Sequence, residues 1–411
     1  MHLLIIGTVF PEPASSAAGS RMMQLIELFK SNSWNITFGS AATDSEFMVD
    51  LSALGLGKVS IELNNSNFDH FVKGLQPDVV LFDRFMIEEQ FGWRVAEACP
   101  DALRILDTED LHCLRAARQS AFKQKRTFEI TDLLQQDLAK REIASILRCD
   151  LSLIISPFEM ELLQTIFKID PAILHYIPFM LDPLTAAETA CWKPFEARNG
   201  FVSIGNFLHE PNWNAVLFLK EEIWPMIRKQ LPEAELRVYG SYASQKVTAL
   251  HHPTQGFHIM GRAASAQEVI GDAKVLLAPL RFGAGIKGKL TDAMQAGTPS
   301  VTTAIGAEGM HGAMEWSGMI ADDATAFANA AVKLYSDRES WELAQQNGIS
   351  IINAVYPKKE WGEKLIQRIA NVSNNLKNHR LQNFTGAMLM HHTVSGTKYM
   401  SKWIEEKNKN A

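Results

Sequence analysis

Cysteine is scarce and scattered. The four residues, Cys99, Cys113, Cys149 and Cys191, contain no Cys-x-x-Cys pair, so neither a disulfide framework nor a zinc-finger spacing is indicated. No apolar run approaches the roughly 20 residues that a membrane-crossing helix requires. The opening MHLLIIG is too short for a signal sequence and lacks its basic flank, and it reads as a first buried strand. Excess positive charge is missing too: a formal charge of -6 and a pI near 6.1 argue against a protein that coats nucleic acid. An Asp-x-Asp tract is absent, since Asp322 and Asp323 are adjacent and run into a helical pattern. The expectation is a cytoplasmic protein without a bound cofactor, with peripheral contact at the inner face of a membrane left open.

At 411 residues the chain exceeds one ordinary core and fits two domains with room for a tail. Short β-rich runs alternate with helical patterns, which predicts an α/β fold with parallel sheets covered on both faces. One set of strands begins at His2, Asn35, Val59, Asp78, Leu103, Leu151 and Ile173, and a second at Phe201, Glu235, Phe257, Lys274, Ser300 and Gly318. The apolar spacing of Phe128, Leu133, Leu134, Leu138, Ile143, Ile146 and Leu147 predicts one long amphipathic helix over 121–147. The segment PNWNAVLFLKEEIWPMIRKQL predicts another, with Pro211 at its start. Alternation lapses before residue 200, so the expected division is a first Rossmann-like domain over 1–185, a linker over 186–199, a second such domain over 200–357 and a C-terminal helix and tail over 358–411. Two doubly wound domains facing each other place the carboxyl ends of both sheets on one cleft.

The densest signal is KVLLAPLRFGAGIKGKLTDAMQAGTPSVTTAIGAEGM, a strand, a loop with Gly283, Gly285 and Gly288, a helix start and a second strand. Backbone amides there can form an anion nest leading into a helix N-terminus, with Lys287 and Lys289 adding charge, which suits a phosphorylated ligand. A Walker A loop is excluded because Leu290 follows Lys289. A solvated strand-to-helix turn is the plain alternative.

This block, together with FVSIGNFLHEPNWNAVLFLKEEIWPMIRKQLPEAELRVYGS and IADDATAFANAAVKLYSDRESWELAQQNG, resembles the donor-binding domain of family 4 glycosyltransferases of GT-B fold. The resemblance is close over about residues 200–360 and looser in the first half, through PEPASSAAGSRMMQLI and FDRFMIEEQFGWRVAEACPDALRILDTEDLHCLR. It implies a GT-B architecture and metal-independent, retaining transfer of a sugar from a nucleotide diphosphate sugar to an acceptor that the sequence does not identify. A nucleotide-sugar epimerase and a non-catalytic nucleotide-sugar binder remain open beside it.

The family's two glutamates, separated by seven residues, fall here on Ala284 and Asp292. Asp292 keeps a carboxylate for ribose hydroxyls, and Ala284 has no hydrogen-bonding side chain. Where the family carries Arg and Lys after the first strand of the second domain, this chain has Asn206 and His209, so Lys287 and Lys289 are expected to take over the diphosphate. The resemblance also implies a base-contacting turn at Met260–Arg262, with Gly261 and Arg262 as donor contacts, a nucleotide contact near Ile286, and a first-domain glycine loop in which Gly19 and Arg21 reach the diphosphate. His112 is the expected sugar contact, with Asp107 or Glu109 orienting or deprotonating the acceptor. Asp83 and Arg84 read as a structural salt bridge. RAARQSAFKQKR (115–126) reads as a solvated helix face, with anionic lipid or an acidic acceptor as the alternative.

Overall fold

The structure, a computed structural model, describes residues 1–391 and 403. The first lobe is built on seven strands, β1 (His2–Gly7), β2 (Asn35–Ser40), β3 (Gly57–Ser60), β4 (Val79–Asp83), β5 (Leu103–Asp107), β6 (Leu151–Ile154) and β7 (Leu174–Tyr176), in the order β3-β2-β1-β4-β5-β6-β7. The second lobe has six, β8 (Phe201–Ile204), β9 (Leu236–Tyr239), β10 (Phe257–Gly261), β11 (Val275–Ala278), β12 (Ser300–Thr302) and β13 (Gly318–Ile320), in the order β10-β9-β8-β11-β12-β13. Neighbouring strands pair in parallel throughout both sheets. Central strands such as VVLFD are buried at every position, because helices cover both faces of the sheet. In each lobe the order reverses beside the first strand, at β1/β4 and at β8/β11, and such a switch point opens a crevice at the strand ends.

The chain passes between the lobes twice. Leu181 N donates to Tyr356 O (2.9 Å) and Lys358 N to Leu181 O (3.0 Å), so the outgoing and returning segments pair. Helix Lys358–Asn374 then lies on the first lobe, where Leu365, Ile369 and Val372 join the apolar cluster of Leu3, Ile5 and Leu25. Arg380 follows it with an ion pair to Asp150 (2.7 Å). The expected tail beyond residue 391 lies outside the described residues, apart from Trp403.

Two helices differ from expectation. The predicted 121–147 helix is three pieces, with His112–Lys123 ending at a turn where Lys125 takes φ 56°, then Ile130–Leu134 and Asp137–Arg148. A capping box at Glu129 and Asp132 starts the middle piece, and the reversal lets the outer two pack together while Leu133 is buried. In the PNWNAV segment, Pro225 has no N–H for the helical ladder, and a π turn at Leu219–Ile223 absorbs the fault between Glu210–Phe218 and Trp224–Gln230.

Candidate active site

A cleft of about 800 Å³ runs between the lobes at the carboxyl ends of both sheets. From the second lobe it is lined by the turn after β8 (Gly205, Asn206, His209 and Asn212), by Gly240, and by Phe282–Lys289 with Asp292. The first lobe contributes Ser15–Ala18 and Ser20 of the loop and helix after β1, Arg84 after β4, and Glu109, Asp110, His112 and Arg115 after β5.

Gly283–Lys289 follows the end of β11, and helix Gly288–Gln295 starts inside it, with Gly288 and Lys289 of its first turn lining the cleft. Gly285 has φ +63°, and a Cβ there would sit 2.7 Å from the Asp110 Cβ, so the two lobes touch backbone to side chain at this point. We expect Gly285→Ala to cost about 1–3 kcal/mol through the left-handed conformation alone and to displace Asp110. Calorimetric titration with nucleoside diphosphates, compared with a thermal melt, measures whether binding falls further than stability.

Lys287 Nζ donates to Gly285 O (2.7 Å) and Lys289 Nζ to Asn212 Oδ1 (2.8 Å). Burial pushes both ammonium groups down to about 8, opposed by Glu308 at Lys287 and by Asp292 at Lys289. Asp292, in turn, is pushed up to about 7 by burial, against Lys289. Lys287 is buried, Lys289 and Asp292 are half-buried, and all three line the cleft.

Across the cleft, the tips of β4 and β5 carry residues in unusual backbone conformations. Arg84 takes φ 73° and ψ 155°, a region that glycine normally occupies, and Glu109 takes φ 60°. Glu109 is pushed up to about 8 by burial, with Asp107 reinforcing and Arg84 opposing, and its Oε1 is buried without a partner. Burial also disfavours the Asp110 carboxylate, but the Arg115 guanidinium and His112 outweigh it and hold the group well below the usual carboxylate range. His112 Nδ1 faces Asp110 O (3.1 Å) and Glu142 Oε1 (3.4 Å), which leaves Nε2 as the ring nitrogen for a ligand. Glu142 also accepts from the His112 and Cys113 amides (3.0 and 2.8 Å), fixing the start of that helix. His209 is pushed down to about 4 by burial and by Arg115, so it is a neutral ring at neutral pH.

Several expected site residues are turned away from the cleft, or line it with a polar group already committed to a protein partner. Arg21 is 1% exposed and its guanidinium meets Asp107 (2.9 Å) and Ile177 O (2.9 Å). Asp107, 0% exposed, is therefore the inner half of an ion pair under the cleft floor, away from any acceptor. Gly19 faces the Glu12 backbone, where a Cβ would come within 2.4 Å, so it closes its own loop while its neighbours line the cleft. Gly261 accepts from Gly240 N (2.8 Å), and Arg262 stacks over Phe47 (4.4 Å), at the rim; Ala263 is the residue of that turn in the cleft. Asn206 lines the cleft, but its Oδ1 accepts from Leu208 N (2.8 Å). The Gly285 amide, expected in an anion nest, is donated to Glu159 (2.8 Å).

Sequence reasoning missed Arg118 and Glu159 and treated Arg84 as purely structural. The Asp83–Arg84 ion pair is present (3.6 Å), yet Arg84 also lines the cleft. Arg118, read as part of a solvated basic face, is 7% exposed; it binds Glu308 of the opposite lobe (2.7 Å) and Gly283 O (2.9 Å). Its position four residues after Leu114 and three before Ala121 puts it on the helix face that is buried, a signal the periodicity contained.

Residues 198–337 match the family model described as Glycosyl transferases group 1. No curated protein matches the sequence. Among solved structures, the chain is similar to sucrose-phosphate synthase from Thermosynechococcus elongatus, with a TM-score of 0.69 at 15% identity over 90% of this chain and 99% of that one. It is similar to Anabaena HepE in complex with UDP-glucose, at TM-score 0.65 and 11% identity over 90% and 100%. A glycosyltransferase from Rickettsia africae follows at TM-score 0.63 and 10% identity over 89% and 97%. At these identities the likeness is one of fold, and the fold is the two-lobed GT-B architecture.

Proposed function

We propose, from the match of residues 198–337 to the group 1 glycosyl transferase model, that the chain transfers a hexose from a nucleotide diphosphate sugar to an acceptor hydroxyl, with retention and without a divalent metal. The observation that carries the reading is the meeting, in one cleft, of a glycine loop with the ammonium groups of buried Lys287 and half-buried Lys289 and a first-lobe turn bearing Glu109, Asp110 and His112. Lys287 and Lys289 neutralise the charge that grows on the departing diphosphate, where the amides at the start of helix Gly288–Gln295 add their dipole. Asp292 meets the ribose. His112 offers Nε2 to the donor sugar, and Glu109, with an unpartnered oxygen, meets the acceptor. HepE was solved with UDP-glucose, which makes UDP the first nucleotide to try.

Calorimetric titration with UDP, GDP, ADP and TDP, in the presence of EDTA, tests the proposal. One diphosphate is expected to bind and to raise the melting temperature. Failure of all four to bind overturns it. Release of nucleotide from the matching sugar donor, increasing with acceptor, then separates transfer from epimerisation and from mere binding.

The pH dependence follows from the ammonium groups. A bound anion favours charged lysine, so binding raises pKa values that stand at about 8 in the free protein. Nucleotide affinity should therefore be strongest below pH 7 to 8 and decline as pH rises past it. Deprotonation of Asp292 and Glu109 in the same range adds negative charge and works in the same direction. Titrations from pH 6 to 9 measure it; affinity that rises across this range contradicts the assignment.

A further inference from the structure

Glu159 opens helix Pro157–Thr165 of the first lobe, is 0% exposed, and does not line the cleft. Its Oε1 accepts two amides that belong to different lobes, Leu111 N (3.1 Å) and Gly285 N (2.8 Å). Leu111 lies between Asp110 and His112; Gly285 is the middle of the glycine loop. One oxygen atom thus fixes the distance between the two walls of the site. Two residues before Gly285, Arg118 takes Gly283 O (2.9 Å) and locks to Glu308 with both terminal guanidinium nitrogens (2.8 and 2.7 Å). The first lobe therefore holds the second lobe's anion-binding loop by a carbonyl at one end and an amide in its middle, with the opposite polarity at each.

We propose that Glu159 is a positioning residue that shapes the nucleotide-binding loop across the lobe boundary, so that the loop takes its binding geometry only when the lobes are closed on each other. The proposal rests on the glycosyltransferase reading for its consequence, and on the two amide contacts for its substance. A loop that needs the first lobe to form ties donor capture to closure, which keeps water from the donor before the acceptor side is in place. The device acts through hydrogen-bond acceptance by Oε1. Oε2 is buried without a partner, so an amide in place of the carboxylate retains the acceptor and puts its NH2 where no contact is lost.

Three variants of the full chain, Glu159→Ala, Glu159→Gln and Arg118→Ala, test this by two readouts. Hydrogen exchange of the peptide spanning residues 281–290, without nucleotide, should become at least tenfold faster in Glu159→Ala and Arg118→Ala and stay near wild type in Glu159→Gln, while peptides from β1 and β8 keep their protection. UDP affinity should fall at least tenfold in Glu159→Ala and recover to within about threefold in Glu159→Gln. Exchange unchanged in Glu159→Ala overturns the proposal, as does a Glu159→Gln protein as impaired as Glu159→Ala, which would assign the effect to charge. Accelerated exchange in β1 and β8 as well would reduce Glu159 to a residue of general stability and overturn it too. If wild-type protein binds none of the four nucleoside diphosphates, the functional reading fails, and the exchange arm still decides the grip on its own.

Discussion

Lys287→Ala is expected to weaken UDP binding by more than tenfold, and Lys287→Ala with Lys289→Ala by about a hundredfold or more. A hydrogen bond to a charged group contributes about 1.5–3 kcal/mol, and each factor of ten in affinity is about 1.4 kcal/mol. One lost ammonium contact therefore exceeds a factor of ten, and two approach its square where they act independently. Lys287 is buried and Lys289 half-buried, which strengthens their field on an anion relative to surface lysines. Burial also means that each is charged at a cost when the cleft is empty, which is why their pKa values have dropped to about 8. Removing them should leave the empty protein no less stable while binding collapses, and this opposition is the signature of a site built for a ligand. Turnover should fall further than affinity, because the leaving diphosphate carries more charge in the transition state than in the bound donor. Calorimetry on the single and double variants, with melts alongside, gives the measurement; affinity within threefold of wild type in the double variant removes the diphosphate from this loop.

The second wall of the cleft was far less legible than the first, for a geometric reason. Gly283 to Asp292 is one continuous turn and helix, so spacing in the sequence maps directly onto spacing in the site. The facing wall is assembled from the tips of β1, β4 and β5, and which side chain at a strand tip points into a crevice depends on turn geometry that composition does not encode. Arg21 illustrates the limit. Ser20, Gln24 and Glu27 line the cleft at helical intervals, whereas Arg21 is one residue on and turned by about 100°, onto the face of Met22, Leu25 and Phe29. The periodicity held that information; the identity of its partner, 86 residues away in Asp107, did not follow from it. Glu159 was hidden in the same way, three residues before Leu162 on a buried helix face. The alternation of strands and helices, by contrast, repeats at every element, and it specified both sheets to within a few residues at the strand ends. Ala284 stands between these cases: the sequence placed it where the resemblance calls for an acid, and the structure packs it against the first lobe's apolar cluster at the edge of the cleft.

Arg21→Ala should destabilise the first lobe by about 3–5 kcal/mol, the cost of leaving a buried carboxylate without its counter-ion. The pair is wholly enclosed: Arg21 Nε and Nη2 meet Asp107 (3.1 and 2.9 Å), and Nη1 donates to Ile177 O (2.9 Å). Burial works against the guanidinium charge, but Asp107 and Glu109 outweigh it and raise the pKa further, so protonation of Arg21 is not in question at any working pH. Asp107 is left with the penalty when Arg21 goes. The pair joins helix Ala17–Ser31 to the ends of β5 and β7, and Glu109, Asp110 and His112 hang directly from the end of β5. A contact made by Arg21 to the diphosphate predicts the reverse pattern, a stable protein with lost affinity. Arg21→Met combined with Asp107→Leu separates the two accounts: removing both charges should restore much of the stability that Arg21→Ala loses, because an apolar pair of similar volume carries no desolvation cost. Chemical denaturation of the three proteins, with UDP affinity measured on each under native conditions, provides the comparison. Stability unchanged in Arg21→Ala, accompanied by a tenfold loss of UDP affinity, would return Arg21 to the ligand.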